Sequence, residues 1–147
     1  MTPAPSSLIG AWRLVSAVAT GDDGAAHAAP FGDHPTGLLT YTRSTVTVLI
    51  AYDGRPRLAF DGDHGEAPPD ARAAGFATFF GYGGRYEVAG DTVVHDVEVA
   101  SIEDWVGSAM VRELELDGDR LTLRTPRVAV AGVRGRFELV WERVPGS

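Results

Sequence analysis

The chain has 147 residues, a formal net charge of −7, 44% hydrophobic and 22% charged residues, and no cysteine. These values are typical of one globular domain, expected over residues 1–147. The acidic balance disfavours nucleic acid and anionic membranes as partners, because both bind basic surfaces. No disulfide is possible, the first seven residues lack a signal-peptide pattern, and no apolar run is long enough to span a bilayer, so we expect a cytoplasmic protein.

Period-two alternation of apolar and polar residues, interrupted by glycine turns, predicts eight antiparallel strands. In chain order they cover residues 11–20, 37–42, 45–52, 84–89, 92–100, 108–116, 119–125 and 135–144. Residues 69–80 predict a short helix between the third and fourth strands, because proline stands at its start and Phe76, Phe79 and Phe80 have helical spacing. The expected fold is all-β, an eight-stranded antiparallel up-and-down β-barrel.

Two tight turns predict the register of the second half. A turn at residues 90–91 pairs Tyr86 with His95, since a two-residue loop with glycine suits a hairpin. A turn at residues 117–118 pairs Leu114 with Leu121 and sets Glu115 opposite Arg120 as a cross-strand charge pair. The apolar row of the fifth strand then faces inward, and it consists of Val93, His95, Val97 and Val99.

Loop lengths predict one open end and one closed end. The links after the second, fourth and sixth strands are short, whereas those after the first, third, fifth and seventh are long and form the mouth of a pocket. The first strand begins, and the eighth ends, at the closed end. We therefore expect Arg143 to stack on Trp12 there and to act with it as a structural plug.

Several stretches resemble the lipocalin-like domain family of bacteria and fungi, part of the calycin superfamily. The first strand begins with Gly10-Ala11-Trp12 and the last ends near Arg143, as in lipocalins. The stretches that carry the resemblance are LIGAWRLVS, PFGDHPTGLLTYT, GRYEV, TVVHDVE, WVG, VRELELDGDRLTL and VWERV. The resemblance implies a lipocalin-like barrel with an interior pocket, and an association with secondary-metabolite biosynthesis.

Three polar residues are predicted to share the barrel interior: His95, Tyr86 and Arg112. Folding the chain about residues 103–104 brings His95 within one or two residues of Arg112. Such a set suits acid–base catalysis, because histidine exchanges protons near neutral pH, tyrosine donates one, and arginine stabilises an enolate or a carboxylate. The alternative is that the three are structural residues whose hydrogen bonds are satisfied within a mixed core.

Further residues are expected to contact a ligand. Trp105 is predicted to cap the mouth, Phe76 and Phe80 to seal the helix onto it, and His34 to lie in a mouth loop. The inner wall is predicted to include Met110, Val97, Leu123, Phe137 and Leu139. No residue spacing indicates a metal site.

Three functions fit these sequence features. The first is a cofactor-independent isomerase or cyclase that acts on an apolar, polyketide-like metabolite. The second is a non-catalytic binding or carrier protein for a hydrophobic small molecule. The third is a haem-binding barrel with His95 as axial ligand. We favour the first, expect no cofactor, and expect a monomer or a weak homodimer whose partner is an apolar small molecule.

Overall fold

The computed structural model describes residues 5–130 and 132–147, apart from the side chains of Pro5 and residues 26–28. Residues 1–4, the start of the segment that was searched for a signal peptide, lie outside the described residues. The described chain contains the strands β1 (Gly10–Gly21), β2 (Ala26–Ala28), β3 (Thr36–Tyr41), β4 (Thr45–Ala51), β5 (Phe79–Ala89), β6 (Thr92–Ala100), β7 (Ala109–Asp117), β8 (Arg120–Arg124), β9 (Val128–Val130) and β10 (Val133–Arg143). It also contains helix α1 (Pro69–Ala77) and three short 3-10 helices, at Pro5–Leu8, His64–Glu66 and Glu103–Trp105.

Eight of the strands close into a barrel. Their order is β1-β3-β4-β5-β6-β7-β8-β10, and β10 pairs back onto β1. Every neighbouring pair in this ring is antiparallel. The predicted eight-stranded barrel is therefore confirmed. The short strands β2 and β9 pair with β1 and β10 beside the long loops.

Along most of each long strand, side chains alternate between the barrel interior and solvent. In β4, Val46, Val48 and Ile50 are buried, whereas Leu49 between them is 41% exposed. The β-branched residues of this strand suit the pleated backbone, and their burial against the facing strands stabilises it. Because the side-chain period is two, this burial fixes the register of the strand.

The segment around α1 differs from the prediction. The helix ends at Ala77, and Phe79 and Phe80 belong to β5, where they pair with Ala51 and Ile50 of β4. The helical spacing of the phenylalanines was misleading, because pairing with β4 outweighs local helix propensity. Phe76 stays on the helix and is 62% exposed, so it does not seal the helix onto the barrel. No helix in the described ranges is long and apolar enough to cross a membrane.

The glycine-rich run at residues 81–84 lies inside β5, whereas the prediction left residues 81–83 in the loop before the strand. Gly84 faces β6 so closely that an added Cβ would overlap the carbonyl oxygen of Asp96. Glycine is therefore required there by close backbone approach. β5 consequently begins five residues before the predicted start and carries Tyr82 into the barrel.

A β-bulge in β6 explains a second difference. Gly83 pairs with Val99 and Gly84 with Val97, so Glu98 is an extra residue on β6. A bulge shifts the residues beyond it by one position and so reverses the face they present. Val99 is accordingly 66% exposed, and the prediction that it faces the interior is wrong.

The register of the hairpin formed by β7 and β8 differs from the predicted register by two residues. Leu114 pairs with Leu123, not with Leu121, and the turn lies at residues 118–119. Gly118 takes the first turn position with φ 60°, the left-handed conformation that glycine adopts most readily. Glu115 therefore does not face Arg120, and instead its carboxylate lies 3.1 Å from the guanidinium of Arg124.

The closed end contains the expected stack of Arg143 on Trp12. The guanidinium carbon of Arg143 lies 4.3 Å from the centre of the fully buried Trp12 ring. Arg143 also donates hydrogen bonds to the carbonyl oxygens of Ile9 (2.9 Å) and Ser7 (2.7 Å), and to Asp119 at 3.2 Å. The Trp12 Nε1–H donates to the carbonyl oxygen of Leu8 at 3.0 Å. These contacts tie both ends of the chain together beneath the barrel.

Candidate functional site

A cavity of about 450 Å³ lies inside the barrel toward the open end. Its walls come from β4, β5, β7, β8, β9, β10 and the long loops between them. Six predicted contact residues line it, as does one predicted catalytic residue: Phe80, Trp105, Met110, Leu123, Phe137, Leu139 and Arg112. The sequence-based prediction missed Phe31, Val48, Ile50, Tyr82 and Trp141, which also line it.

Three predicted contact residues lie elsewhere. Val97 is buried in the core without lining the cavity. His34 is exposed in its loop, where its backbone N–H donates to Asp53 at 3.1 Å. Phe76 is the exposed residue of α1 described above. The ligand contacts predicted for these three have no support in the geometry.

Aromatic rings surround the upper part of the cavity. Phe80 packs edge-on against Phe31 and Trp105, with ring centres 5.5 Å and 5.6 Å apart. Phe31 is almost fully buried and also stacks on Phe137 at 6.1 Å. Edge-to-face packing at these distances is favourable for aromatic rings. Trp105 lies in the predicted mouth position and shields one side of the cavity.

His95 is 1% exposed and lies behind the cavity wall. Its Nε2 is 2.7 Å from the hydroxyl of Tyr41, and its Nδ1 is 2.7 Å from the hydroxyl of Tyr82. Burial, and then the positive charge of Arg112, lower the pKa of His95 to about 3. The imidazole is therefore neutral at physiological pH, with both ring nitrogens already hydrogen-bonded.

Tyr86 pairs with His95 in the backbone, as predicted, but it does not join the same hydrogen-bonded group. Its hydroxyl donates to the carbonyl oxygen of Thr42, at 2.8 Å, in the turn between β3 and β4. Its ring packs edge-on against Tyr41, with centres 4.8 Å apart. A tyrosine ring is long enough to carry its hydroxyl well away from the paired Cα atoms, so the register did not determine its contact.

Arg112 lines the cavity and is only partly buried. Its guanidinium donates to the carbonyl oxygen of Val111 at 2.9 Å and to the sulfur of Met110 at 3.4 Å. Within the described ranges no carboxylate lies within 4.0 Å of it. Burial raises the pKa of Tyr82, while the nearby positive charge of Arg112 acts against that rise. Arg112 and Tyr82 are therefore neighbours in the cavity wall.

The sequence-based prediction also missed Tyr82 and Tyr41, the two tyrosines that hydrogen-bond to His95. Tyr82 lay in the glycine-rich run, which was interpreted as a loop. Tyr41 shares the inward face of β3 with Leu39, and this alternation is visible in the sequence. A strand continued back through the glycines would have placed Tyr82 on the same inward face as Phe80 and Tyr86.

Neither ring nitrogen of His95 is free to ligate haem iron. Axial ligation by His95 would require one of its two hydrogen bonds to tyrosine to break. In the part of the chain that the structure describes, no three His, Asp or Glu residues are grouped as metal ligands.

Comparison with known proteins agrees with this architecture. Residues 9–144 match the lipocalin-like domain family. A 4'-hydroxy-3'-methoxypropiophenone carrier protein of Aspergillus oryzae is 29% identical over 76 residues, which cover 46% of this chain and 68% of that protein. The family match spans nearly the whole barrel, from the start of β1 to the end of β10. The chain therefore belongs to the lipocalin-like domain family.

Proposed function

We propose that this protein binds and carries a small, largely apolar molecule with an aromatic ring in the cavity of its barrel. One observation carries the proposal, namely an interior cavity of about 450 Å³ walled by aromatic and aliphatic side chains. Pockets that enclose a small molecule typically measure roughly 300–1,000 Å³ and have few polar groups. The rings of Phe31, Phe80 and Trp105 at its upper part suit an aromatic ligand.

The relative from Aspergillus oryzae supports a carrier function. It is named as a carrier of 4'-hydroxy-3'-methoxypropiophenone. That molecule is an aryl ketone, with an aromatic ring, a short alkyl chain and a few oxygen atoms. The aromatic wall and the few polar residues of the present cavity match that combination of chemical groups.

An isomerase or cyclase is the second candidate. It is favoured by one observation, that Tyr82 and Arg112 both line the cavity and could stabilise a developing enolate. His95 does not suit the proton shuttle we expected, because it is neutral, buried, and hydrogen-bonded at both nitrogens. General acid–base catalysis requires a group with a pKa near the working pH, so the carrier function is the better supported.

Calorimetric titration with 4'-hydroxy-3'-methoxypropiophenone tests the proposal. We expect one molecule to bind per chain and to be recovered unchanged by mass spectrometry. Leu139→Trp should remove binding by filling the cavity, whereas Leu38→Trp on the outer surface should not. Both variants are first checked for folding by thermal unfolding.

No binding by the folded wild type, or equal binding by the Leu139→Trp variant, would contradict the carrier proposal. Conversion of the bound molecule into an isomer or a cyclised product would instead establish the enzyme.

A further inference from the structure

We infer that the cavity selects ligands that carry a carbonyl oxygen, and that this oxygen accepts hydrogen bonds from Tyr82 and Arg112. Tyr41 and His95 orient the Tyr82 hydroxyl toward the carbonyl oxygen. The inference rests on the proposed function and specifies its ligand class. The shared chemistry is a carbonyl oxygen, from either a ketone or a carboxylate. Tyr82 and Arg112 bind the ligand, whereas Tyr41 and His95 are positioning residues.

The chain of hydrogen bonds begins with a neutral imidazole. A neutral histidine has one nitrogen that donates and one that accepts. His95 faces two tyrosine hydroxyls, so one tyrosine must donate to it and the other must accept from it. The direction of this chain determines which tyrosine keeps a proton for a ligand.

Tyr41 determines the direction. It is 1% exposed, and within the described ranges its hydroxyl has one hydrogen-bond partner, Nε2 of His95. If Nε2 carried the proton, the hydroxyl proton of Tyr41 would be buried without an acceptor, which is unfavourable. Tyr41 therefore donates to Nε2, and Nδ1 of His95 carries the proton.

The Tyr82 hydroxyl then accepts from Nδ1–H of His95 and retains its own proton. Its other polar neighbour is Arg112, which only donates. In the described chain the Tyr82 hydroxyl has no hydrogen-bond partner besides His95, and Tyr82 lines the cavity, so we infer that a ligand in the cavity accepts its proton. An oxygen without a proton of its own meets this requirement, and a carbonyl group provides one.

The rest of the cavity wall agrees with an acceptor ligand. No carboxylate side chain lines it, and Arg112 forms no ion pair within the described ranges. The Ser108 hydroxyl already donates to the carbonyl oxygen of Trp105 at 2.6 Å. Nε1 of Trp141, by contrast, is buried and has no partner in the described chain, and it is not counted among the cavity donors. The donors in the cavity wall are therefore Tyr82 and Arg112.

A pair of matched probes tests the inference in the intact protein. Propiophenone and propylbenzene differ only in the replacement of C=O by CH2, and 3-phenylpropanoate supplies a carboxylate of similar size. Calorimetry gives the dissociation constant of each probe for the wild type and for Tyr82→Phe, Arg112→Gln and Tyr41→Phe. Tyr86→Phe is the control, because it removes a hydroxyl that faces the closed end.

In Tyr82→Phe we expect propiophenone to bind about threefold to tenfold more weakly, which is the usual range for one lost hydrogen bond. Propylbenzene should bind as before, so the variant acts on the carbonyl group and not on the cavity as a whole. The carbonyl stretching band of bound propiophenone should lie at a lower frequency in the wild type than in Tyr82→Phe. A lower wild-type dissociation constant for 3-phenylpropanoate than for propiophenone, together with a larger effect of Arg112→Gln on 3-phenylpropanoate, would identify the carboxylate as the better ligand.

Tyr41→Phe tests the positioning residues. Without Tyr41, His95 is free to accept from Tyr82, so the preference for propiophenone over propylbenzene should fall and the carbonyl band should rise in frequency. If Tyr41 had only a structural role, Tyr41→Phe would weaken the binding of both probes equally and leave the carbonyl band of propiophenone unchanged. If Tyr82→Phe and Tyr41→Phe leave the preference as in Tyr86→Phe, the inference is wrong while the carrier function stands. If neither propiophenone nor propylbenzene binds the wild type, the carrier function itself is wrong.

Discussion

Arg143 at the closed end and Arg112 in the cavity wall have opposite surroundings. Arg143 stacks on Trp12 and donates to two carbonyl oxygens and to Asp119. Arg112 donates to a neighbouring carbonyl oxygen and to a sulfur atom, and within the described ranges it faces no carboxylate. Both belong to inward rows of the sheet, yet only Arg143 has its guanidinium paired on several sides.

Under the proposed function, this difference separates residues that stabilise the barrel from residues that bind a ligand. At the closed end, protein groups satisfy one another, and the burial of apolar surface stabilises the fold. In the cavity wall, Arg112 and Tyr82 are hydrogen-bond donors, and in the proposed complex a ligand supplies the acceptor. Substitutions at the closed end should therefore lower mainly the free energy of unfolding, and substitutions in the cavity wall should weaken mainly ligand binding.

Trp12→Ala should have the largest effect on stability. Trp12 is fully buried, and truncating a buried tryptophan typically lowers the free energy of unfolding by about 3–5 kcal/mol. The matched open-end variant is Trp105→Ala, which removes a partly exposed ring that lines the cavity. It should cost less stability and weaken ligand binding more.

Denaturant unfolding and calorimetric titration of both variants measure this contrast. Equal losses of stability at the two positions, or a loss of binding confined to Trp12→Ala, would contradict the separation of the two ends.

Acid should destabilise the protein through His95. The pKa of His95 falls from 6.5 to about 3 on folding, so below pH 6.5 the unfolded chain binds a proton that the folded chain does not. Stability from this group is therefore fully present above pH 6.5 and is lost as the pH falls toward 3. Between pH 6.5 and 4.5 the loss should be about 2 kcal/mol, since one pKa unit corresponds to roughly 1.4 kcal/mol.

Denaturant titrations at several pH values measure this loss, and His95→Gln is the control. Glutamine keeps one donor and one acceptor without a proton to gain, so the variant should lose stability less steeply in acid than the wild type. The carboxylates contribute equally to both proteins and cancel in the comparison. Protonation of His95 near pH 6.5 in a proton NMR titration of the wild type would contradict its burial as a neutral residue.

Arg143→Gln should lower the free energy of unfolding by about 1.5–3 kcal/mol, the range for hydrogen bonds made by a charged group. It removes the stack on Trp12 and the link to the carbonyl oxygens of Ile9 and Ser7. Arg112→Gln is the matched variant, and it should change stability by at most about 0.5 kcal/mol because few contacts are lost. Thermal unfolding compares the two, and equal destabilisation would show that Arg112 is a structural residue as well.

The barrel could be predicted from the sequence because its signals are local. Alternation within β4, and the two-residue turn before β6, depend on neighbouring residues alone. The predictions failed where the local conformation depends on pairing with a neighbouring strand. The bulge that exposes Val99 and the strand conformation of Phe79 depend on β5 pairing with β6 and β4. No local pattern encodes such pairing.

The candidate site could be predicted only in part, for a related reason. Register placed Tyr86 opposite His95, but the hydrogen bonds of His95 come from Tyr41 across the barrel and from Tyr82. Contact across a barrel depends on its closure and on side-chain length, which a one-dimensional pattern does not contain. Arg112 was placed correctly because it follows the inward alternation of β7 directly.

Phe76→Ser should have the smallest effect, and it tests the boundary between α1 and β5. Phe76 is 62% exposed on α1, so serine should change stability by at most about 0.5 kcal/mol and leave ligand binding intact. Phe80→Ser, four residues later, removes a ring that packs on Phe31 and Trp105 and lines the cavity. That variant should weaken binding of an aromatic ligand, and calorimetry distinguishes the two. If Phe76→Ser weakens binding as much as Phe80→Ser does, then α1 covers the mouth when a ligand is bound, and the open end is less open than its contacts indicate.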